Sequence, residues 1–531
     1  MARKIFALLA VVFLLTSVYG CSTPTQQVQP TTAAAATTAP TTAAATSAPT
    51  SAGPAVTLDF YFEGNGDSTD RVAVQDAINA YITPLINAKV VFHIIGWGDW
   101  ATKAVTALQA GQKADIFFTA DWNGYMDQVD QGLLTPLNDD KGPNGNLLKQ
   151  YGQGILSSLN PEFITGSQVD GVNYAVPTNK ELSVPWGFVY NSTLADQIGM
   201  TEADAAKIKT PADMEPWLAK AKAANPTMYP YLTDGTVGFM PWIHAFATNI
   251  SDYVANQANT PDASGKYNET VITPFTTDWM KTYLTTMRDW YTKGYINKDA
   301  GLTTFDTSKD LNAGNFLFEP MPLKGNNIKA QELVIASGNK DLQLKEIYES
   351  PKIVASSDAG GSMFAIPKSS DHPVEAMKLI NLLHTDSKLI NMCLYGVPNT
   401  DWTVDADGRV NVAATNDWIK QNPGGWIWGD VTLQTVSNKE DPKKNQMLID
   451  YSKDAIKIPQ TGFRFRTKNV AAEMTAIQAA VDGSQRSLLT GYVDPSVELP
   501  KFIKALQDAG LDKVIAEVQK QYDAWKANQP K

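Results

Sequence analysis

The stretch from Val56 to Thr119 constrains the fold most, because its apolar periodicity switches between two and roughly 3.6 and back again. Val56 to Phe62 alternates as a strand does. Asp70 to Ile82 sets Val74, Ile78 and Ile82 on one helical face, and Val90 to Ile95 is a second apolar strand. A helix opening at Asp99 or Trp100, with Ala104, Val105 and Leu108 inward, stops at Gly111 before a third strand at Ala114–Thr119. A strand, helix, strand order of this kind predicts an α/β fold with a mostly parallel sheet and helices on its faces.

The same grammar recurs downstream. Trp186 to Tyr190 reads as a strand, and Pro211–Ala224, Thr277–Lys293 and Val374–His384 read as helices. Asp407-Gly408 between Val404 and Val410 signals a hairpin. The chain ends in a helix whose stripe is Leu511, Val514, Ile515, Val518, Tyr522 and Trp525.

The first 55 residues belong to export rather than to the fold. Arg3 and Lys4 precede an apolar run from Ile5 to Leu15 that is too short to cross a membrane, as in a secretory signal. Gly20-Cys21 then resembles the lipobox of bacterial lipoproteins, which implies cleavage after residue 20 and a lipid anchor on Cys21. Ordinary secretion with Cys21 as a bystander is the alternative. Residues 22–55 are Thr, Ala, Pro, Ser, Gln, Gly and Val without charge or aromatic, too poor in apolar surface to offset their ordering entropy. They read as a disordered linker reaching at most about 100 Å.

Composition narrows the function. Lys and Arg number 44 against 55 Asp and Glu, with no concentrated basic face, so nucleic acid is not an expected partner. The two cysteines, Cys21 and Cys393, predict a fold without disulfides. Four scattered histidines, at 93, 244, 372 and 384, form no zinc motif, and neither a nucleophile elbow nor a P-loop occurs. No metal, cofactor or catalytic residue is expected. Paired carboxylates for glycoside hydrolysis are defined by a separation of roughly 5 to 9 Å, which is a property of a fold and not of a sequence.

Tryptophan beside polar groups is what the chain offers instead. Trp97 and Trp100, Asp121-Trp122, Trp186, Trp242, and Trp426 with Trp428 sit at or near expected strand ends. Sugar rings lay their C–H faces on aromatic rings and give their hydroxyls to carboxylates and amides. In open α/β sheets, ligands bind beyond the carboxyl ends of the strands. Asn179 and Glu181, Glu319 at the end of an apolar strand, and Asp358 complete the candidate ligand set. Hinge hydrogen bonding is the alternative for Glu181 and Asp358, and plain packing for any one tryptophan; Trp279 and Trp525, on apolar stripes, are read as packing.

Several segments in order resemble the extracellular solute-binding proteins of ABC importers, carbohydrate-binding group. They are Ala110–Thr119 running to Gly132–Leu137, Val169–Thr178 followed by Trp186–Asn191, and Gly361–Ser370 with the helix at Glu375–Leu383. The tail from Thr461 through Gly491–Pro495 and Ala509–Lys513 to Gln519–Trp525 resembles the C-terminal region of LipO-type lipoproteins of Gram-positive bacteria. One departure is Gly462-Phe463-Arg464-Phe465-Arg466, where the resemblance implies an acidic residue among the aromatics.

The resemblance implies two α/β lobes joined by hinge crossovers, with residues 56–184 and 358–400 in lobe 1. Residues 185–357 and 401–531, including a helical C-terminal region, fall in lobe 2. It implies a monomeric, lipid-anchored receptor on the outer face of the cytoplasmic membrane that captures an oligosaccharide between the lobes and passes it to an ABC permease, with no bond broken. A secreted glycoside-active enzyme, a polysaccharide adhesin, or a same-fold receptor for peptides or other solutes are the alternatives.

Overall fold

A computed structural model describes residues 53–529 apart from 236, 245, 246, 252, 258 and 303. The export signal, Cys21 and nearly all of the linker lie outside the described residues. Eight strands make the two main sheets: β1 Val56–Gly64, β2 Ala88–Gly96, β3 Ile116–Thr119, β4 Ala175–Pro177, β5 Trp186–Asn191, β6 Phe318–Pro322, β7 Leu344–Tyr348 and β8 Met363–Ala365. The first sheet has the order β2-β1-β3-β8-β4 and the second β7-β5-β6.

The βαβ opening forms as its periodicity predicts. Val74, Ile78, Ile82 and Ile86 of the helix Arg71–Ile86 are buried, and Asn87 ends it in the left-handed region at φ 54°. β1 then pairs in parallel with both β2 and β3, Phe60 lying beside Phe92 and Ile116. The helix expected from Asp99 or Trp100 begins as a π-helical turn, Trp100–Val105, and continues as the short helix Thr106–Gln109.

The expectation of a mostly parallel sheet holds only for β1, β2 and β3. β8 runs antiparallel between β3 and β4, and both pairings in the second sheet are antiparallel. The chain enters β8 from the other lobe, so no helical crossover dictates its direction.

Two large hydrophobic cores define the lobes. In the first, Phe60, Phe62, Phe92 and Phe364 surround Trp428 at centroid distances of 5.0 to 6.5 Å. In the second, Phe188, Tyr231, Trp242 and Trp290 meet Phe502, Val518 and Tyr522 of the C-terminal helices Pro495–Asp508 and Leu511–Ala527. Trp418, Ile427 and Trp428 pack in the first core, so the chain does not leave that lobe at residue 400, where the second lobe was expected to resume. The 401–430 segment stays because its large rings complete an apolar core that the shorter segment would leave open. It carries the expected hairpin, Trp402–Val404 against Val410–Val412, with Gly408 at φ 76°.

Three passages therefore join the lobes: residues 178–185, 349–362 and roughly 431–462. The latter two run side by side where Ile353–Val354 pairs in parallel with Ile456–Lys457. Trp428, fully buried, tests the core assignment. Trp428→Ala is expected to cost about 3 to 5 kcal/mol of folding free energy, read as a lower ligand-free melting temperature.

Candidate functional site

The carboxyl ends of β1, β2 and β3 lie along one edge of the first sheet, and three tryptophans meet there. Trp97 directly follows β2, Trp122 follows β3 in the turn Asp121–Asn123, and Trp426 arrives on the 420–426 loop. Trp97 and Trp426 stack with centroids 6.1 Å apart and planes 18° from parallel; Trp122 lies 6.3 Å from each. Trp122 is 55% exposed and Trp97 40%, so ring faces are open to solvent. Every indole N–H is held: Trp97 donates to Asn65 Oδ1 at 2.9 Å, Trp122 to the Gly361 carbonyl at 2.8 Å and Trp426 to the Pro423 carbonyl at 2.7 Å. The rings are thus a fixed apolar platform whose polar handles are already occupied.

Gly64 makes the platform possible. A Cβ there would fall 2.8 Å from the Gln421 carbonyl and 2.7 Å from Ile94 Cγ2. Without one, the loop comes close enough for Asn65 N–H to donate to Gln421 O at 2.8 Å and Asn65 Nδ2 to Lys420 O at 2.9 Å, which carries Trp426 to Trp97.

The other tryptophans divide. Trp100, Trp242 and Trp428, expected among the ligand residues, are 1%, 4% and 0% exposed and offer no ring face. Trp100 packs on Phe117 at 4.8 Å and Trp242 on Phe188 at 5.0 Å. These are corrections with one reason: the hydrophobic gain from burying so large a ring outweighs exposure wherever a sheet face lies beneath it. Trp186, half-buried at the start of β5, stacks on His244 at 5.1 Å and marks the second lobe's end nearest the crossovers.

The polar residues are mostly spoken for. Asp121 forms a buried ion pair with Arg464 from the C-terminal region. Asn179 donates to Asp430 at 2.9 Å and bridges residue 430 through its backbone. Glu181 is buried beside Lys180 at 3.3 Å, and its Oε2 has no hydrogen-bond partner. Asp358 accepts from the Ala355 N–H at 2.6 Å and burial pushes its carboxyl up to about 7. Both lie on passages between the lobes. Glu319 does not end its strand; it lies within β6 opposite Val189, three pairs from the Trp186–Pro322 end. Desolvation pushes it up to about 8.

Sequence reasoning missed Asn65 and Glu63. Glu63 is 3% exposed at the end of β1, accepts from Asn123 Nδ2 at 2.8 Å, and is pushed by burial to about 8. A lone Glu in an apolar strand, Phe60-Tyr61-Phe62-Glu63, was the available signal. Among the described residues, no group of three or more His, Cys, Asp or Glu side chains is placed to hold a metal ion, and no helix is long and apolar enough to cross a membrane.

Residues 65–387, more than half of the chain, match the family described as bacterial extracellular solute-binding protein, and residues 459–527 match a domain of unknown function, DUF3502. A carbohydrate ABC transporter substrate-binding protein of Streptococcus pneumoniae serotype 4 is 28% identical over 454 residues, covering 85% of this chain and 87% of the relative. The crystal structure of the S. pneumoniae N-glycan transport solute-binding protein NgtS with Man5GlcNAc superposes with a TM-score of 0.72 at 25% identity, over 90% of this chain and all of that one. The alginate-binding protein AlgQ2 without calcium ion shares the fold at a TM-score of 0.59 and 15% identity, over 88% of this chain and 98% of that one.

Glu63, Glu319, Asp358 and Glu346 are all raised by burial, to about 8, 8, 7 and 7. A carboxyl that keeps its proton longer folded than unfolded adds stability that is complete below its unfolded value of about 4 and is lost as the pH rises through the folded value. His384, pushed down to about 3 by burial, acts oppositely, but only up to its unfolded value of about 6.5. The ligand-free melting temperature is therefore expected to fall between about pH 6.5 and 8, and Glu63→Gln to flatten part of that fall in a pH series of thermal scans.

Proposed function

Because the chain belongs to the bacterial extracellular solute-binding proteins, we propose that its tryptophan platform holds an oligosaccharide between the lobes for delivery to an ABC permease. The observation that carries this reading is the Trp97, Trp122 and Trp426 cluster, with open faces and fixed N–H groups at the carboxyl edge of the first sheet. Sugar C–H faces gain from stacking on such rings without any change in the protein.

NgtS, which carries a glycan of mannose and N-acetylglucosamine in its crystal structure, indicates the first ligand to try. Calorimetric titration with Man5GlcNAc is expected to give saturable one-to-one binding, and the glycan should be recovered unchanged after long incubation. Trp122→Ala and Trp97→Ala are expected to weaken binding by about 1 to 3 kcal/mol, roughly 5- to 150-fold in Kd, while ligand-free melting barely moves. Unaltered affinity in both variants would remove the platform from the site. Cleavage in proportion to protein would favour the glycoside-active alternative.

In this reading the receptor is a monomer tethered outside the cytoplasmic membrane through lipid on Cys21, with residues 22–55 as the tether. Mass spectrometry of membrane fractions is expected to find a mature N-terminal Cys21 bearing lipid. Unmodified Cys21 in protein recovered wholly from the medium of intact cells would mean ordinary secretion.

A further inference from the structure

Phe463, Arg464, Phe465 and Arg466 alternate between the two lobes. Phe463 and Phe465 are buried in the second core, Phe463 perpendicular to Tyr522 at 5.3 Å. The backbone of Arg466 is bracketed by one side chain of the last helix: its N–H donates to Gln521 Oε1 and its carbonyl accepts from Gln521 Nε2, both at 2.9 Å. The segment is thus fastened to the second lobe along its length.

Its guanidinium groups point the other way. Arg464 donates through Nε to the Gly166 carbonyl at 3.1 Å, pairs with Asp121, and lies 5.6 Å from the ring centre of Tyr125. Arg466 donates through Nε to Asp130 at 2.7 Å and through Nη1 to Asp170 at 2.5 Å. Thr467 Oγ1 donates to Asp127 Oδ1 at 2.5 Å. Every one of these acceptors belongs to the first lobe. Planar, multidentate guanidinium recognition fixes orientation as well as distance, which a point charge would not.

Asp121 and Trp122 share one support. The Asp121 N–H donates to the Gly360 carbonyl and the Trp122 indole to the Gly361 carbonyl, each at 2.8 Å. A Cβ on Gly360 would fall 2.2 Å from Asp121 Oδ2, so the carboxylate is confined between that backbone and Arg464. Whatever shifts the ion pair shifts the turn that carries the platform's most exposed ring.

We propose that Phe463–Thr467, at the start of the domain of unknown function, is a clasp that holds the first lobe against the second, and that Arg464 acts through Asp121 as a positioning residue for Trp122. The positioning half rests on the carbohydrate reading; the clasp does not. A clasp that holds the binding-competent arrangement raises the population available to ligand, and its loss lowers apparent affinity in proportion.

Two variants test it by small-angle scattering of the ligand-free protein and titration with Man5GlcNAc. In the first, Asp121→Asn with Arg464→Met removes the buried charges together, so that neither is left unpaired. The second combines Arg466→Ala with Thr467→Val and touches only the more exposed contacts. Both are expected to scatter as a more extended particle. Both are then expected to bind the glycan more weakly, and the first, which also frees Trp122, by about 5- to 150-fold more than the second, the usual range for coupled sites. Arg464→Lys, which keeps a charge beside Asp121, should recover part of that loss.

Scattering unchanged in both variants overturns the clasp. A more extended particle in both variants with the same glycan affinity in both overturns the positioning role. If the first variant does not fold, the second still decides the clasp by scattering. If the unaltered protein binds no Man5GlcNAc, that failure counts against the carbohydrate reading, while the scattering of both variants still decides the clasp.

Discussion

The pairing of β8 between β3 and β4 is the constraint on which the rest depends. Three residues, Met363–Ala365, arrive from the other lobe and complete a sheet begun at Val56, about three hundred residues earlier in the chain, with β3 on one side and β4 on the other. That insertion obliges the chain to cross between lobes both before and after β5–β7. It also brings the carbonyls of Gly360 and Gly361 to the end of β3, where they hold Asp121 and the Trp122 indole. The passage between the lobes and the turn that carries Trp122 are therefore joined through one short piece of backbone.

Aromatic side chains divide by what lies beneath them. Trp428 stands over the face of β1 and β2 and is enclosed by phenylalanines, whereas Trp426, two residues earlier, reaches past the end of the sheet and stays half-open. Burial of a large ring is worth several times the energy of a typical hydrogen bond, so any ring with a sheet face available takes it. Rings stationed beyond the strand ends, such as Trp97 and Trp122, stay exposed. Their N–H groups are then satisfied by Asn65, Pro423 and Gly361, which leaves the apolar faces as the only unsatisfied surface.

Charge is used between the lobes rather than at the platform. Glu181 and Asp358 occupy the crossovers, and Asp121, Asp127, Asp130 and Asp170 of the first lobe face Arg464, Arg466 and Thr467. Burying such groups is unfavourable unless each finds a partner, and removing one partner is more damaging than removing both. An interface built this way is specific in geometry and modest in net energy.

How much of this could be read from the residues depends on the range of the interactions involved. The βαβ opening, the helices at 211–224 and 278–292, the hairpin at Asp407-Gly408 and the C-terminal stripe follow from periodicity and turn chemistry, which are local. The ordering of segments was enough to identify the family and its two-lobed fold, whereas strand ends placed Trp97, Trp122 and Trp426 only within a wider candidate set that also held Trp100, Trp186, Trp242 and Trp428. The antiparallel direction of β8, the return of residues 401–430 to the first core, and the burial of Trp100, Trp242 and Trp428 were decided only by tertiary structure. Arg464 and Arg466 looked out of place beside their aromatic neighbours because the partners of their charges lie some three hundred residues away in the chain. Sequence by itself determined which segments become strands, helices and turns, since those choices depend on neighbours a few residues apart. Which faces are covered, and which charges meet, depends on contacts between residues hundreds of positions apart, and these exist only once the chain has closed on itself.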